Sequence, residues 1–342
     1  MSSVDTAGLI NRKDGDINEY TASVNQDLIA IKGMMQIDKS NGLDGITLSS
    51  KDLLDKDGLI NPDANFFDVY YDESGKPYFL FNQYNPLFAN FKGRNDKSVS
   101  NNACSYAAGA NAFIMANGVH SLVDSFGIMM YYMDYAQSTS GPITGSDWLK
   151  VMRGNDIKKS PNFRFLEKYM YDENGDLKFE VHEKIGETRT AMDAAISSGQ
   201  EEAEFVYLGS YVDRNQIQSL IDQAESAGYD VEVNCAGVNA GNFGGNHYIS
   251  AHYDTEHGVK VMDSYGSRAS SEDIQTGNVL LWTEGHEYKY SSNEVFKKGV
   301  TRMTTTVFDT NRSGPGAFKD FLEIDNAGGS GEPVYIKITK KQ

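Results

Sequence analysis

The chain has 342 residues, of which 39% are hydrophobic and 23% are charged, so it holds enough apolar material for a sizeable core. Its formal net charge of −17 disfavours nucleic acid and anionic lipid surfaces as partners. Two cysteines are too few for a disulfide framework, and no Cys/His cluster has the spacing of a zinc site.

The amino-terminal residues, MSSVDTAGLINRKDGDINEY, are polar and acidic and lack the basic and apolar regions of a secretory signal peptide. The chain also contains no apolar run long enough to span a bilayer. We therefore expect a soluble protein that is either cytoplasmic or exported by a route that does not read a cleavable signal peptide.

Residues 1–66 are expected to form a small helical region with three Asp-Gly turns, in KDGDIN, LDGITL and KDGLIN. In the third turn, Asp55 and Asp57 match two ligand positions of a twelve-residue calcium loop. The first and last ligand positions of that loop are Leu53 and Ala64, which supply no side-chain oxygen. Two interpretations stay open: Asp55 and Asp57 bind a structural calcium ion, or the sequences form turns only.

Residues 67–342 are expected to form a second domain, in which helices come early and strands come late. An aromatic hairpin, FFDVYYDESGKPYFLFN, is followed by helices that include CSYAAGANAFIMA and SLVDSFGIMMYYMDYA. The strand AEFVYLGSYV, the helix RNQIQSLIDQAESA ending at Gly228, and the strand YDVEVNC come next. A glycine-rich loop leads into the strands HYISAHYD and GVKVMDSY, and VYIKIT is the last strand. This order predicts an α+β fold.

Cys104 is the candidate nucleophile, because it stands at the start of the predicted helix of small residues. A thiolate is the reactive form of cysteine, and the unpaired N–H groups of a helix N-terminus stabilise negative charge. The competing interpretation is a structural cysteine in a tightly packed helix. Cys235 ends a predicted strand with no helix behind it, so we interpret it as structural.

His247 and Asp263 are the candidates for the base and the residue that orients it. His247 begins the strand after the glycine-rich loop, and alternation places it on the core-facing side with Ala251. His252 falls on the opposite face, which we expect to be more exposed to solvent. Asp263 ends the next strand and shares the face of His247 if the connecting turn has an odd number of residues or contains a bulge.

With these residues in view, the chain resembles the papain-like cysteine peptidase superfamily, through NNACSYAAGANAF, GGNHYISAHYD and VKVMDSYG. The chain looks more like the bacteriocin-processing and bacterial effector branches of this superfamily than like its lysosomal enzymes. It implies a nucleophile helix packed on an antiparallel sheet, with Cys104, His247 and Asp263 as the triad. Members of the superfamily commonly place a Gln about six residues before the cysteine, where this chain has Ser98. The side-chain amide of Asn101 or Asn102 is the expected replacement as oxyanion donor.

The sequence therefore predicts a cysteine hydrolase that cleaves an amide bond, most simply a protease acting on a protein or peptide and needing no cofactor. Amidases, deamidases and transglutaminases use the same order of residues and remain alternatives. A second class, a non-catalytic binding protein organised by calcium, depends on the Asp-Gly turns and the acidic charge. A nucleotide site is disfavoured, because the chain has no GxxxxGK[ST] phosphate loop.

Overall fold

The protein has an α+β fold, as predicted. A computed structural model describes residues 68–71, 76–80, 104–138, 162–208, 214–239, 247–262, 281–282, 288–289, 307–312 and 333–342. The helices there are α1 (Cys104–Ala116), α2 (Leu122–Ser138), α3 (Phe163–Met170), α4 (Ile185–Ser198) and α5 (Arg214–Ser226). The strands are β1 (Asp68–Tyr71), β2 (Pro77–Leu80), β3 (Glu180–His182), β4 (Glu202–Tyr207), β5 (Tyr229–Asn239), β6 (His247–Asp254), β7 (Gly258–Met262), β8 (Leu281–Trp282), β9 (Tyr288–Lys289), β10 (Val307–Arg312) and β11 (Val334–Lys340). The predicted N-terminal region, residues 1–66, lies outside the described residues.

Among the described residues, one seven-stranded sheet has the strand order β10-β7-β6-β5-β11-β4-β3. Its neighbouring strands are antiparallel, except that β3 and β4 are parallel. β5, β6 and β7 follow one another along the chain and pair in that order. β11 comes last in sequence but lies between β4 and β5, so that Ile336 pairs with both Phe205 and Val233.

Helices α4 and α5 cover one face of this sheet, which we call the α4/α5 face. The apolar face predicted for α5 is confirmed, because Ile217, Leu220, Ile221 and Ala224 are all fully buried. They form one core with alternate residues of four strands. These strand residues are Phe205 and Tyr207 of β4, Tyr229, Val231, Val233 and Cys235 of β5, Ala251 and Tyr253 of β6, and Val334, Ile336 and Ile338 of β11. The helix α5 ends where expected, since Gly228 has a φ of 85°, which favours glycine.

Helix α1 covers the opposite face, which we call the α1 face. The rings of Phe113 in α1 and Tyr335 in β11 meet edge to face, with 6.3 Å between their centroids. Every residue of α1 from Cys104 to Met115 is buried. Because six of the 13 residues of α1 are alanine or glycine, its backbone can approach β5 and β6 closely, and both strands contact it.

Helix α2 and strand β2 of the hairpin β1–β2 pack against α1, and α3 packs against α2. The hairpin was predicted and is confirmed, with Asp68 paired to Leu80 and Tyr71 to Pro77. The carboxylate of Asp124 in α2 accepts hydrogen bonds of 2.6 Å from both Lys168 and Tyr169 in α3. Even α2, the longest of the described helices at 17 residues, falls short of a bilayer-spanning segment, and none of the others in the described ranges reaches that combination of length and apolarity.

Candidate functional site

Cys104 is the first residue of α1, as the sequence predicted, and its side chain is buried. The backbone N–H groups of the first turn of a helix have no partner within the helix and stabilise negative charge near its N-terminus. The small residues that follow Cys104 hold this N-terminus against the sheet. Cys104 is therefore a buried residue in the first turn of a helix that packs on the sheet.

The course of α1 over the sheet fixes which end of the sheet Cys104 approaches. Ala116, at the other end of α1, lines a small cavity of about 20 Å³ with Glu204, Glu232 and Asn234. At about 1.5 Å per residue, Cys104 lies about 18 Å along the helix from Ala116. Over its length, α1 contacts both β5 and β6.

His247 is the first residue of β6, as predicted, and it pairs with Asn239 of β5. The turn that joins Asp254 of β6 to its partner Gly258 of β7 contains three residues, 255–257. An odd number is the condition under which position 263 shares the face of position 247, because odd-numbered positions of β6 then lie opposite odd-numbered positions of β7. Met262, the last residue of β7, immediately precedes Asp263, which lies outside the described residues.

The two faces of the sheet place a condition on the predicted triad. Ala251 and Tyr253 lie in the core beneath α4 and α5, whereas α1, which begins at Cys104, covers the other face. Strict alternation continued back from Ala251 would assign position 247 to the α4/α5 face. The predicted triad therefore requires β6 to depart from regular alternation at His247, its first residue.

The second thiol, Cys235, lies in β5 and is 2% exposed. It belongs to the apolar core of the α4/α5 face, between Ala251 of β6 and Val334 of β11. Both cysteines lie in the described part of the chain, and neither forms a disulfide. The position of Cys235 agrees with its interpretation as a structural residue.

Several predicted site residues lie outside the described residues. These are the oxyanion candidates Asn101 and Asn102 and the calcium candidates Asp55 and Asp57. Within the described ranges, no group of three or more His, Cys, Asp or Glu side chains is arranged to hold a metal ion.

The expectation that His252 lies on a solvated face is wrong. Its side chain is only 12% exposed, and Ser250 on the same face is fully buried. The reason is α1, which covers this face of the sheet. The apolar sequence of α1, with no polar stripe of its own, was the signal that both faces of the sheet would be covered.

His252 instead forms part of a polar network that the sequence did not reveal. Its Nδ1 lies 2.9 Å from Oδ1 of Asn234, and its Nε2 lies 3.4 Å from Oδ2 of Asp254. The N–H and the ring of His257 both approach Oδ1 of Asp254, at 2.6 and 3.0 Å. Partial burial opposes the ionisation of Asp254, but the hydrogen bonds and charges of the two histidines prevail and lower its pKa to about 2.

No family model matches the chain, and no curated protein matches it. Among solved structures, malate dehydrogenase from Pyrococcus horikoshii OT3 aligns at 12% identity over 80% of this chain and 78% of that chain, with a TM-score of 0.19. A TM-score this low supports neither a fold nor a function for this chain.

Proposed function

We propose that the protein is a papain-like cysteine hydrolase that cleaves an amide bond in a protein or peptide. The observation that supports the proposal is the packing of α1, which begins at Cys104, on β5 and β6, because β6 begins at His247 and the neighbouring strand β7 ends one residue before Asp263. In this proposal the antiparallel strands β5, β6 and β7 form the sheet against which the nucleophile helix lies.

The proposed reaction proceeds through a thioester. Sγ of Cys104 attacks the carbonyl carbon while the imidazole of His247 accepts the thiol proton. The side-chain amide of Asn101 or Asn102 and the backbone N–H of Cys104 stabilise the oxyanion. The imidazole then donates its proton to the leaving amine, and water hydrolyses the thioester to release the acid and restore the thiol. Asp263 orients the imidazole throughout.

The acceptor in the second step decides the reaction class. Water gives a peptidase, an amidase or a deamidase, and an amine gives a transglutaminase. All of these need the same activated thiol, so the first test addresses the thiol alone. The non-catalytic alternative, a protein organised by calcium, predicts an unreactive Cys104.

The test uses the two cysteines of the chain as an internal comparison. The wild type, Cys104→Ala and Cys235→Ala are treated with limiting iodoacetamide, and the labelled peptides are quantified by mass spectrometry. We expect Cys104 to react at least about tenfold faster than Cys235, which lies in the core. His247→Ala should slow the labelling of Cys104, and His120→Ala, whose described ring contact is with Tyr78, is the matched control.

Equal labelling of the two thiols in the native protein, or labelling of Cys104 that ignores His247, would overturn the proposal. The substrate is then sought by incubating a proteome with the wild type or with Cys104→Ala and reading new N-termini. Termini that need the thiol identify a peptidase. Ammonia release or amine incorporation without new termini identifies a deamidase or a transglutaminase.

A further inference from the structure

The two ring nitrogens of His252 both face hydrogen-bond acceptors. On one side, the amide of Asn234 has a fixed orientation, because its Nδ2 donates to Oε1 of Glu232 at 3.0 Å. Its Oδ1 therefore faces Nδ1 of His252, at 2.9 Å. An amide oxygen can only accept, so Nδ1 must carry a proton.

On the other side, Nε2 of His252 faces a carboxylate that is held in place. Oδ2 of Asp254 lies 3.4 Å from Nε2. Oδ1 of the same carboxylate accepts hydrogen bonds from the N–H groups of Glu256 and His257, at 2.9 and 2.6 Å. These bonds prevent the carboxylate from turning away. Since a neutral imidazole has only one N–H, its unprotonated Nε2 would present a lone pair to this negative charge.

The charged groups around His252 come from each element packed against it. β5 contributes Glu232, whose Oε1 lies 3.7 Å from Nδ1, and the β6–β7 turn contributes His257. Lys260 is the register partner of His252 in β7. Helix α1 has no charged residue in its sequence. Only 12% of the His252 side chain is exposed, so water can satisfy little of the ring.

We propose that His252 is a proton-operated clamp that joins β5, β6 and the β6–β7 turn, and that it closes when the imidazole carries its second proton. In the doubly protonated ring, Nδ1–H donates to Asn234 and Nε2–H donates to Asp254, so both acceptors are satisfied and the carboxylate gains an ion pair. In the neutral ring, only the bond to Asn234 is made. The clamp lies in the strand that begins at His247, but it does not depend on the chemistry of Cys104.

The clamp predicts that mild acid stabilises the folded protein through this one histidine. Melting temperatures are measured by circular dichroism near pH 8 and near pH 6, on either side of the ordinary imidazole titration. We expect the wild type to gain about 2–4 °C more on acidification than His252→Gln gains. His120→Gln, which removes a histidine next to Tyr78, should gain as much as the wild type. This control also accounts for the general effect of reducing the net charge of −17.

A second variant tests the geometry without removing the ring. Asp254→Asn keeps an oxygen for the turn N–H groups, and its amide can donate to the lone pair of a neutral His252. We expect it to lose the acid-dependent gain, whereas Glu256→Gln, at an 85% exposed side chain in the same turn, should keep it. If His252→Gln fails to fold, the comparison of Asp254→Asn with Glu256→Gln tests the proposal. The proposal is overturned if His252→Gln and Asp254→Asn gain as much on acidification as the wild type. It is also overturned if His257→Gln abolishes the gain and His252→Gln does not.

Discussion

Gly127 of α2 lies against the aromatic ring of Phe165 in α3, with no space for a side chain between them. A Cβ built on Gly127 would overlap the atoms of that ring. Phe165 is itself buried, so it cannot move into solvent to make room. The absence of a side chain at Gly127 therefore sets the distance between α2 and α3.

Gly127→Ala should destabilise the protein by about 1–3 kcal/mol, because the added methyl group must displace a packed ring. Gly186→Ala is the matched control, since Gly186 is also in a helix, is exposed and has no atom near its would-be Cβ. It should be neutral or stabilising by about 0.4–1 kcal/mol. Urea unfolding of the two variants measures both effects. An equal response at the two positions would show that α2 and α3 are not in this close contact.

Thr188 of α4 is fully buried, and its hydroxyl has no hydrogen-bond partner among the residues that the structure describes. Thr188→Val replaces the hydroxyl with a methyl group of nearly the same shape, so it should stabilise the protein by about 1 kcal/mol. Thr190→Val is the control, because that hydroxyl is exposed and donates to the carbonyl oxygen of Gly186 at 2.9 Å. Its effect should stay within about 0.5 kcal/mol. A loss of stability in Thr188→Val would reveal a partner for the buried hydroxyl.

Asp254 should support stability until the solution becomes strongly acidic. Its pKa of about 2 in the folded protein lies below the ordinary value of about 3.9. A lowered pKa means that this stabilisation, present where the carboxylate is ionised and the neighbouring histidines are protonated, is lost as the pH falls from about 4 through about 2. The difference in unfolding free energy between the wild type and Asp254→Asn should therefore shrink from about 2 kcal/mol near pH 5 to near zero at pH 2. Asp172→Asn, at an exposed carboxylate that also accepts backbone N–H groups, should show a smaller change. A difference that stays constant with pH would contradict the network.

Most elements that depend on neighbouring residues in the chain could be predicted. The β1–β2 hairpin, the start of α1 at Cys104, the end of α5 at Gly228 and the sequence of β5, β6 and β7 all follow from local patterns. In each of these, the turn residues and the apolar spacing lie within a short stretch of sequence, so they determine the local structure directly.

The arrangement of distant strands could not be predicted in the same way. β11 separates β4 from β5, and nothing in VYIKIT identifies those two partners. A strand with two neighbours is specified by pairings between residues far apart in sequence, which leave no local signal. The same limit explains the error at His252, because the cover over that face comes from α1, well over a hundred residues earlier in the chain.

The relation between Cys104 and position 247 can be tested directly with thiols. In a Cys235→Ala background, His247→Cys leaves two thiols, at positions 104 and 247. Dibromobimane links two neighbouring thiols and becomes fluorescent only when both ends have reacted. If β6 departs from alternation at its first residue, as the proposed triad requires, this variant should become fluorescent. Titration with Ellman's reagent should then detect neither thiol.

The matched control is His257→Cys in the same background, because residue 257 follows the opposite end of β6. A strand rises about 3.3 Å per residue, so His247 and Asp254 are separated by about 23 Å, too far for both to approach Cys104. The control should therefore react at single thiols without becoming fluorescent. Fluorescence in neither variant, with both thiols reactive, would place position 247 on the α4/α5 face, where strict alternation assigns it. The base that serves Cys104 would then have to be sought elsewhere on the α1 face of the sheet.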